Sequence, residues 1–320
     1  MSTKPFEYAA KRDYAGKTAA IIGGGVIGAS WAALFAASGL NVVVSDPDPD
    51  IETKAHARIA AALPTLVALG HAPFDIAERV RFVDDHAHAV AEAFLVQECG
   101  PERPGFKQGV WEVVEGAAPA DALLCSSSAG IPASLQQTEM RDHTRLLIAH
   151  PINPPHRMPL VEVVPTPTTD PEVTARAAAF YDGLGKVTRV IRKEVPGFVA
   201  NRLQAAIFRE CVALVRGGVV TIDELDDIVT TSLGVRLASS GPFLSMHLGG
   251  EDGGLPHAIA QLGPPMELLW ETLDVPHFDP VTRELIARQA DQSYGAWPID
   301  QLARSREAKE IAVLNALAGT

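Results

Sequence analysis

A glycine-rich loop directly after a short apolar run constrains the fold of this chain more than any other feature. Residues 18–28 read TAAIIGGGVIG and contain the pattern GxGxxG. The first glycine permits a tight turn, the second lets the backbone approach a diphosphate, and the third allows close packing of a helix on a strand. N–H groups at the start of that helix attract phosphate. The residues predicted to hold a dinucleotide here are Gly23, Gly25, Val26, Ile27 and Gly28.

An acidic residue follows the next predicted strand at the distance expected for a ribose ligand. The run NVVVS occupies residues 41–45, and Asp46 comes directly after it. A carboxylate there accepts hydrogen bonds from ribose hydroxyls and repels a 2′-phosphate. No cation follows Asp46 until Lys54. The sequence therefore predicts NAD rather than NADP as the cofactor.

Short apolar runs alternate with helical segments through the first half of the chain. Such runs are typical of parallel strands that are covered on both faces. The alternation predicts an α/β fold with a doubly wound, Rossmann-type sheet. The predicted strands are residues 18–22, 41–45, 80–83, 93–97, 123–125 and 146–149, and the predicted helices are 26–38, 51–69, 105–114 and the run after Pro132.

The pattern becomes entirely helical beyond residue 195. The segment PGFVANRLQAAIFRECVALVRGG, residues 196–218, repeats its apolar positions at helical spacing. Pro196 suits a helix start and Gly217 with Gly218 a helix end, while Thr221 and Glu224 form a capping-box pattern. We therefore expect an NAD-binding domain over residues 1–195 and an all-helical substrate and dimerisation domain over residues 196–320.

Composition excludes several classes of partner. Lys and Arg total 27 against 39 acidic residues, a net charge of −12, which disfavours nucleic acids and anionic membranes as partners. The 3 cysteines form no CxxC pair and have no metal-finger spacing, so we expect free thiols and no bound metal. Residues 1–17 lack the apolar core of a signal peptide. The sequence thus predicts a soluble cytoplasmic protein with a small-molecule substrate.

A proline-rich loop separates two apolar runs that carry a histidine and a glutamate. Residues 145–166 read RLLIAHPINPPHRMPLVEVVPT, with His150 leaving the first run and Glu162 inside the second. A reversal of the chain would bring the two side by side. A carboxylate orients an imidazole, which can then take a proton from an alcohol. Spacing alone also fits a structural histidine at the end of a strand.

The stretch HPINPPHRMPLVEVVP resembles the signature of the 3-hydroxyacyl-CoA dehydrogenase superfamily. It is more similar to the branch that contains L-gulonate 3-dehydrogenase (lambda-crystallin) and carnitine dehydrogenase. Four further segments match in the expected order between residues 18 and 250. They are QECGPERPGFK (97–107), SSSAGIP (126–132), KEVPGFVANRLQ (193–204) and LGVRLASSGPF (233–243).

The resemblance implies a role for each matching residue. His150 would be the general base and Glu162 its partner. Ser128 and Asn201 would hydrogen-bond the reacting oxygen of the substrate and the histidine, with Ser126 and Ser127 as alternatives to Ser128. Two more residues, Glu102 and Lys107, would contact the nicotinamide side of the cofactor, unless they form only an exposed ion pair.

Few cations are available for a CoA thioester. Only Lys54, Arg58 and Arg79 lie between Asp46 and Val80, which favours a small free acid. An arginine fork suits the carboxylate of such an acid. We expect Arg236 in this role, with Arg202 and Arg157 as alternatives.

The resulting hypothesis is an NAD-dependent dehydrogenase of a small L-3-hydroxy acid, resembling L-gulonate. The low aromatic content of 6% argues against carnitine, whose trimethylammonium group favours aromatic rings. Three alternatives remain: a 3-hydroxyacyl-CoA dehydrogenase, a carnitine 3-dehydrogenase, and a non-catalytic NAD-binding protein. The resemblance and the apolar helix faces of the C-terminal domain together imply a homodimer.

Overall fold

A computed structural model of the chain describes residues 14–71 and 76–318. Most of the N-terminal segment, in which we expect no signal peptide, lies outside the described residues. The chain forms two compact units, Met1–Arg202 and Leu203–Thr320. The contacts divide the chain after Arg202, whereas the sequence pattern places the change at residue 195.

The N-terminal unit is built on one eight-stranded sheet with the order β3-β2-β1-β4-β5-β6-β7-β8. Neighbouring strands from β3 across to β6 are parallel, β6 pairs with β7 antiparallel, and β7 is parallel to β8. The predicted doubly wound sheet is confirmed. The strands are β1 (Thr18–Ile22), β2 (Asn41–Ser45), β3 (Val80–Val83), β4 (Leu95–Glu98), β5 (Leu123–Ser126), β6 (Leu146–Pro151), β7 (Leu160–Pro165) and β8 (Val187–Val190).

Helices cover both faces of this sheet, because alternate residues of each strand point to opposite faces. On β1, Ala19 and Ile21 join one apolar cluster while Ala20 and Ile22 join the other. The first cluster includes residues of α1, α2 and α6, and the second includes residues of α3 and α4. The helices are α1 (Val26–Ala37), α2 (Ile51–Ala68), α3 (His86–Val90), α4 (Pro104–Ala117), α5 (Ala133–Gln136) and α6 (Pro171–Gly183).

The described part of the C-terminal unit consists of helices joined by turns and loops, without strands, as predicted. The Thr221 side chain accepts from the backbone of Glu224, whose carboxylate accepts in return, which confirms the capping box. No helix among the described residues is long and apolar enough to cross a membrane. The helices are α7 (Ala200–Arg216), α8 (Ile222–Ile228), α9 (Gly234–Ser239), α10 (Pro242–Gly249), α11 (Gly254–Trp270), α12 (Pro280–Tyr294) and α13 (Ile299–Leu317).

The run after Pro132 is helical, as predicted, and forms the short α5, which a 3₁₀ turn follows at residues 137–139. One helix prediction is wrong at its start. The long helix begins at Ala200 and not at Pro196. Residues 196–199 form a turn in which Gly197 and Phe198 have φ angles of 75° and 49°. The buried ring of Phe198 holds this turn in the core, so that the chain enters the helix four residues later than the proline suggests.

Candidate active site

The glycine loop has the shape that a bound diphosphate requires. Gly23 has a φ angle of 97°, and a Cβ there would lie 2.9 Å from the Cys99 carbonyl. A Cβ on Gly28 would lie 1.8 Å from the Gly23 carbonyl oxygen. At Gly25, which precedes α1, a Cβ would meet nothing within 4 Å, and no side chain caps the helix. The start of α1 thus offers N–H groups beside open space, which fits a phosphate ligand.

Asp46 lies beside this loop, immediately after β2. Its two carboxylate oxygens accept from the backbone N–H of Gly24 at 2.8 Å and of Asp48 at 2.9 Å. Each oxygen keeps lone-pair capacity for a further donor, such as a ribose hydroxyl. The first cation after Asp46, Lys54, pairs with Asp48 at 2.7 Å. These residues fit the adenosine ribose of NAD, and they offer no uncompensated cation to a 2′-phosphate.

The antiparallel pairing of β6 with β7 brings His150 opposite Glu162. Imidazole Nδ1 lies 2.9 Å from Glu162 Oε2, and the two residues are only 4% and 1% exposed. The ring of Phe198 packs on the imidazole with 5.4 Å between centroids. The two residues therefore form a buried dyad at the end of β6, on the edge of the sheet where β1 meets the glycine loop.

The carboxylate of Glu162 is held by the start of α7 as well as by the histidine. Its Oε1 accepts from the N–H groups of Val199 at 3.0 Å and Ala200 at 3.1 Å. Burial raises the pKa of Glu162, but these bonds and the one with His150 outweigh it, so the pKa lies below the usual range. An ionised Glu162 can only accept hydrogen bonds. Nδ1 of His150 must therefore carry a proton, which leaves Nε2 of the neutral ring as a proton acceptor.

Ser128 is buried near this site but bonds a different partner. Its hydroxyl donates to Glu102 Oε1 at 2.5 Å and accepts from the N–H of Ile131 at 2.9 Å. Burial raises the pKa of Glu102, and the bond with Ser128 and the charge of Lys107 more than reverse this, so the net shift is downward. The contact of Ser128 with the substrate oxygen therefore remains a prediction. The contact of Glu102 with the cofactor also remains a prediction.

The two alternatives to Ser128 are both engaged inside the protein. Ser126 donates to Glu98 Oε2 at 2.7 Å. Ser127 accepts from the Trp31 indole at 3.3 Å and from the Gln97 amide at 2.8 Å. Ser128 differs from both, because its hydroxyl bonds the exposed residue Glu102.

A buried ion pair that sequence reasoning missed lies behind Glu102. Lys107 is 1% exposed, and its ammonium contacts both carboxylate oxygens of Glu98, at 2.9 and 2.7 Å. Glu102 Oε2 lies farther from the ammonium, at 3.5 Å. Lys107 is thus not the exposed partner of a surface pair, and any effect on the cofactor would act through Glu98 and Glu102. The available signal was a glutamate at the end of a strand that is buried along its whole length.

The remaining predicted residues have different positions. Asn201 lies in the first turn of α7, and its amide donates to the carbonyl of Ala129 at 3.2 Å, beside Ser128. Arg202 donates to the carbonyl of Pro196 at 3.4 Å. Arg157 is buried in the loop between β6 and β7. Arg236 is an exposed residue of α9 in the C-terminal unit.

The fold and this site define the class of protein, which is an NAD-dependent oxidoreductase acting on a CH–OH group. Two family models match the chain: "3-hydroxyacyl-CoA dehydrogenase, NAD binding domain" over residues 18–195, and "3-hydroxyacyl-CoA dehydrogenase, C-terminal domain" over residues 197–279. The chain belongs to the 3-hydroxyacyl-CoA dehydrogenase family.

Individual relatives cover nearly the whole chain. An L-carnitine dehydrogenase of Pseudomonas aeruginosa is 38% identical over 304 residues, 95% of each protein. A 3-hydroxyacyl-CoA dehydrogenase of Gibberella moniliformis is 41% identical over 299 residues, 91% of this chain and 92% of the relative. The crystal structure of 5-formyl-3-hydroxy-2-methylpyridine 4-carboxylic acid 5-dehydrogenase, an NAD⁺-dependent dismutase, is similar with a TM-score of 0.81 and 30% identity. The match covers 95% of this chain and 99% of the chain in that crystal structure.

Proposed function

We propose that this protein oxidises the 3-hydroxyl group of a small L-3-hydroxy acid to a ketone, and that L-carnitine is its substrate. The buried dyad of His150 and Glu162 is the observation that carries the reaction type. The similarity to an L-carnitine dehydrogenase over 95% of the chain supports the choice of acid.

The dyad supplies the acid–base part of the oxidation. Bound NAD⁺ would accept the hydride from the substrate's C3. His150 Nε2 takes the hydroxyl proton as the C–H bond breaks, so that one hydride and one proton leave the alcohol and a carbonyl forms. Glu162 stabilises the imidazolium that results. Ser128 and Asn201 are proposed to hydrogen-bond the oxygen on which negative charge develops.

The preference for carnitine revises the L-gulonate hypothesis. The argument from low aromatic content was weak, because a trimethylammonium group needs only one or two well-placed rings or carboxylates. A whole-chain average of 6% does not report on so small a site. Arg236 remains our proposal for the group that binds the substrate carboxylate.

A CoA thioester is the second candidate, since the relative from Gibberella moniliformis is named as a 3-hydroxyacyl-CoA dehydrogenase. The cations that would serve the CoA phosphates are partly engaged elsewhere. Lys54 pairs with Asp48 at 2.7 Å, and Arg79 donates to the carbonyl of Gly39 at 3.2 Å. This engagement favours the free acid.

A substrate comparison tests the proposal. NADH formation is measured with L-carnitine, L-gulonate, L-3-hydroxybutyrate and L-3-hydroxybutyryl-CoA, with the His150→Gln variant as the control for background reduction. We expect the highest kcat/KM with L-carnitine and none of this activity in the variant. A higher kcat/KM with the thioester or with L-gulonate would refute the choice of carnitine, and an active His150→Gln variant would refute the mechanism.

We also propose that the C-terminal unit forms a homodimer interface with a second copy of the chain. Many large apolar side chains of this unit are exposed, and exposed apolar surface is what a partner subunit would cover. They include Leu203, Phe208, Phe243, Leu268, Trp270 and Ile299. Sedimentation equilibrium should give twice the mass of the chain, and a monomer at micromolar concentration would contradict the proposal.

A further inference from the structure

The loop between β6 and β7, residues 152–159, connects the two residues of the dyad, and we refer to it as the dyad loop. Three of its residues are the prolines at positions 154, 155 and 159, which lack a backbone N–H. The N–H groups of Arg157 and Met158 both donate to the carbonyl of Pro154 at 3.0 Å, which closes a local turn, and Val187 donates to the carbonyl of Pro159 at 2.9 Å, at the far end of the loop. Side chains from two distant segments attach the residues between these bonds.

The first support is Ser30, in α1, the helix whose N-terminus faces the proposed diphosphate site. Its hydroxyl oxygen accepts the backbone N–H of His156 at 2.9 Å and lies 2.8 Å from Nδ1 of the same residue. Ser30 is 5% exposed and precedes His156 by 126 positions along the chain. One hydroxyl thus contacts both the main chain and the side chain of the dyad loop.

The second support is Lys186, which directly precedes β8. Its ammonium donates to the carbonyl of Pro155, and to that of Met158 at 3.0 Å. It also lies over the ring of Trp31, 5.9 Å from the centroid, and Trp31 is the neighbour of Ser30 in α1. Lys186 is 8% exposed, and these hydrogen bonds go to main-chain carbonyls rather than to a carboxylate. Burying a cation in this way is costly, which points to a functional reason for its presence.

We propose that Ser30 and Lys186 are positioning residues that hold the dyad loop on α1. This inference rests on the proposed function, since the attachment would set where the hydroxy acid meets His150. The dyad loop begins two residues after His150, at the edge of the sheet that carries the glycine loop. The same helix thus has the proposed diphosphate site at its N-terminus and contacts the dyad loop through Ser30. Small displacements of a reacting group lower the rate steeply, so loosening this attachment should impair turnover.

The kinetic test uses Ser30→Ala with Ser38→Ala as a matched control. Ser38 is also buried and belongs to the C-terminal end of α1, but its hydroxyl donates only within the helix, to the carbonyl of Leu34 at 2.8 Å. We expect Ser30→Ala to lower kcat/KM for the hydroxy acid by about tenfold or more, with the Kd for NAD within about twofold of the wild type. Ser30→Thr, which keeps the hydroxyl, should restore most of the loss. An unchanged kcat/KM in Ser30→Ala, or an equal loss in Ser38→Ala, would overturn the proposal.

Amide hydrogen exchange provides a readout that needs no substrate. The N–H of His156 should exchange slowly in the wild type and in Ser38→Ala, and at least about tenfold faster in Ser30→Ala. Lys186→Met should likewise increase exchange in the dyad loop. If L-carnitine proves not to be the substrate, this measurement still decides whether the two residues hold the loop, and the kinetic arm then uses the acid that the wild type oxidises. Equal exchange in all variants would refute the attachment.

Discussion

Replacing Glu162 by glutamine tests the dyad most directly. The glutamine keeps one carbonyl oxygen. The N–H groups of Val199 and Ala200 now donate to Oε1 of Glu162 at 3.0 and 3.1 Å, and they would attract this carbonyl oxygen to the same place. Its NH₂ group would then face Nδ1 of His150, where the carboxylate now accepts at 2.9 Å. Because two donors cannot bond each other, the imidazole would carry its proton on Nε2. The base would thus lose the lone pair that accepts the substrate proton.

The size of the effect follows from the loss of the working tautomer together with the loss of charge stabilisation. An equivalent carboxylate-to-amide change in a His–Asp pair lowers kcat by about 10⁴, and general base catalysis alone contributes about 10² to 10⁴. We expect kcat of Glu162→Gln to fall by about 10³ to 10⁴, or about 4 to 5.5 kcal/mol in activation free energy. The main penalty falls on the chemical step, so the Kd for NAD should stay within about twofold.

Steady-state NADH formation at saturating substrate and cofactor measures this change. Glu172→Gln is a suitable control, because Glu172 is an exposed residue in the first turn of α6. Circular dichroism and NAD titration would show that both variants are folded and bind the cofactor. If Glu162→Gln retained kcat within tenfold of the wild type, the carboxylate would not control the tautomer of His150, and the mechanism would be wrong.

Three further changes probe the cofactor site and the buried lysine. Gly28→Ala should weaken NAD binding by about 100-fold or more, since its Cβ would lie 1.8 Å from the Gly23 carbonyl oxygen and overpacking costs about 1–3 kcal/mol even in cores that can adjust. Gly109→Ala, where a Cβ meets nothing within 4 Å, is the control in a fluorescence titration, and similar affinities for the two would contradict the fit. Asp46→Asn should raise the ratio of NADP to NAD turnover by about tenfold through lost repulsion, and an unchanged ratio in parallel assays would exclude Asp46 from the ribose site. Burial lowers the pKa of Lys186 to about 7 from 10.5. The buried charge therefore destabilises the folded state fully below about pH 7, and this destabilisation fades as the pH rises and the folded protein loses the proton. Relative to Lys186→Met, the wild type should gain about 3 kcal/mol of unfolding free energy between about pH 6 and about pH 9. Urea unfolding at both pH values measures this, and parallel pH dependence of the two proteins would refute it.

Features that depend on neighbouring residues were predictable from the sequence. The strands β1 and β2 and the helix α1 follow from apolar runs and glycines, and their observed bounds differ little from those predicted. The dyad was also within reach, because a hairpin is a local structure and only a short loop separates His150 from Glu162. The prediction of the long helix was wrong at its start, since the buried ring of Phe198 and the bonds to Glu162, rather than the proline, decide where α7 begins.

Contacts between distant segments were not predictable in this way. No local pattern pairs Ser30 with His156, or Lys186 with the carbonyls of the dyad loop. Glu98 and Lys107 are close in sequence, but only the burial of β4 and α4 makes them an internal ion pair rather than a surface one.

By itself, the amino-acid sequence determined the class of fold, and it predicted the dinucleotide loop, the acidic residue that would favour NAD and the two members of the dyad. These properties depend on periodicity, on the backbone freedom of glycine and on side-chain chemistry, all of which are local. Only the tertiary structure decided that the helix carrying the glycine loop also supports the dyad loop, and that the start of α7 holds the carboxylate of Glu162. The order of the strands brings those segments together, and burial then strengthens each hydrogen bond by removing water that would compete for it.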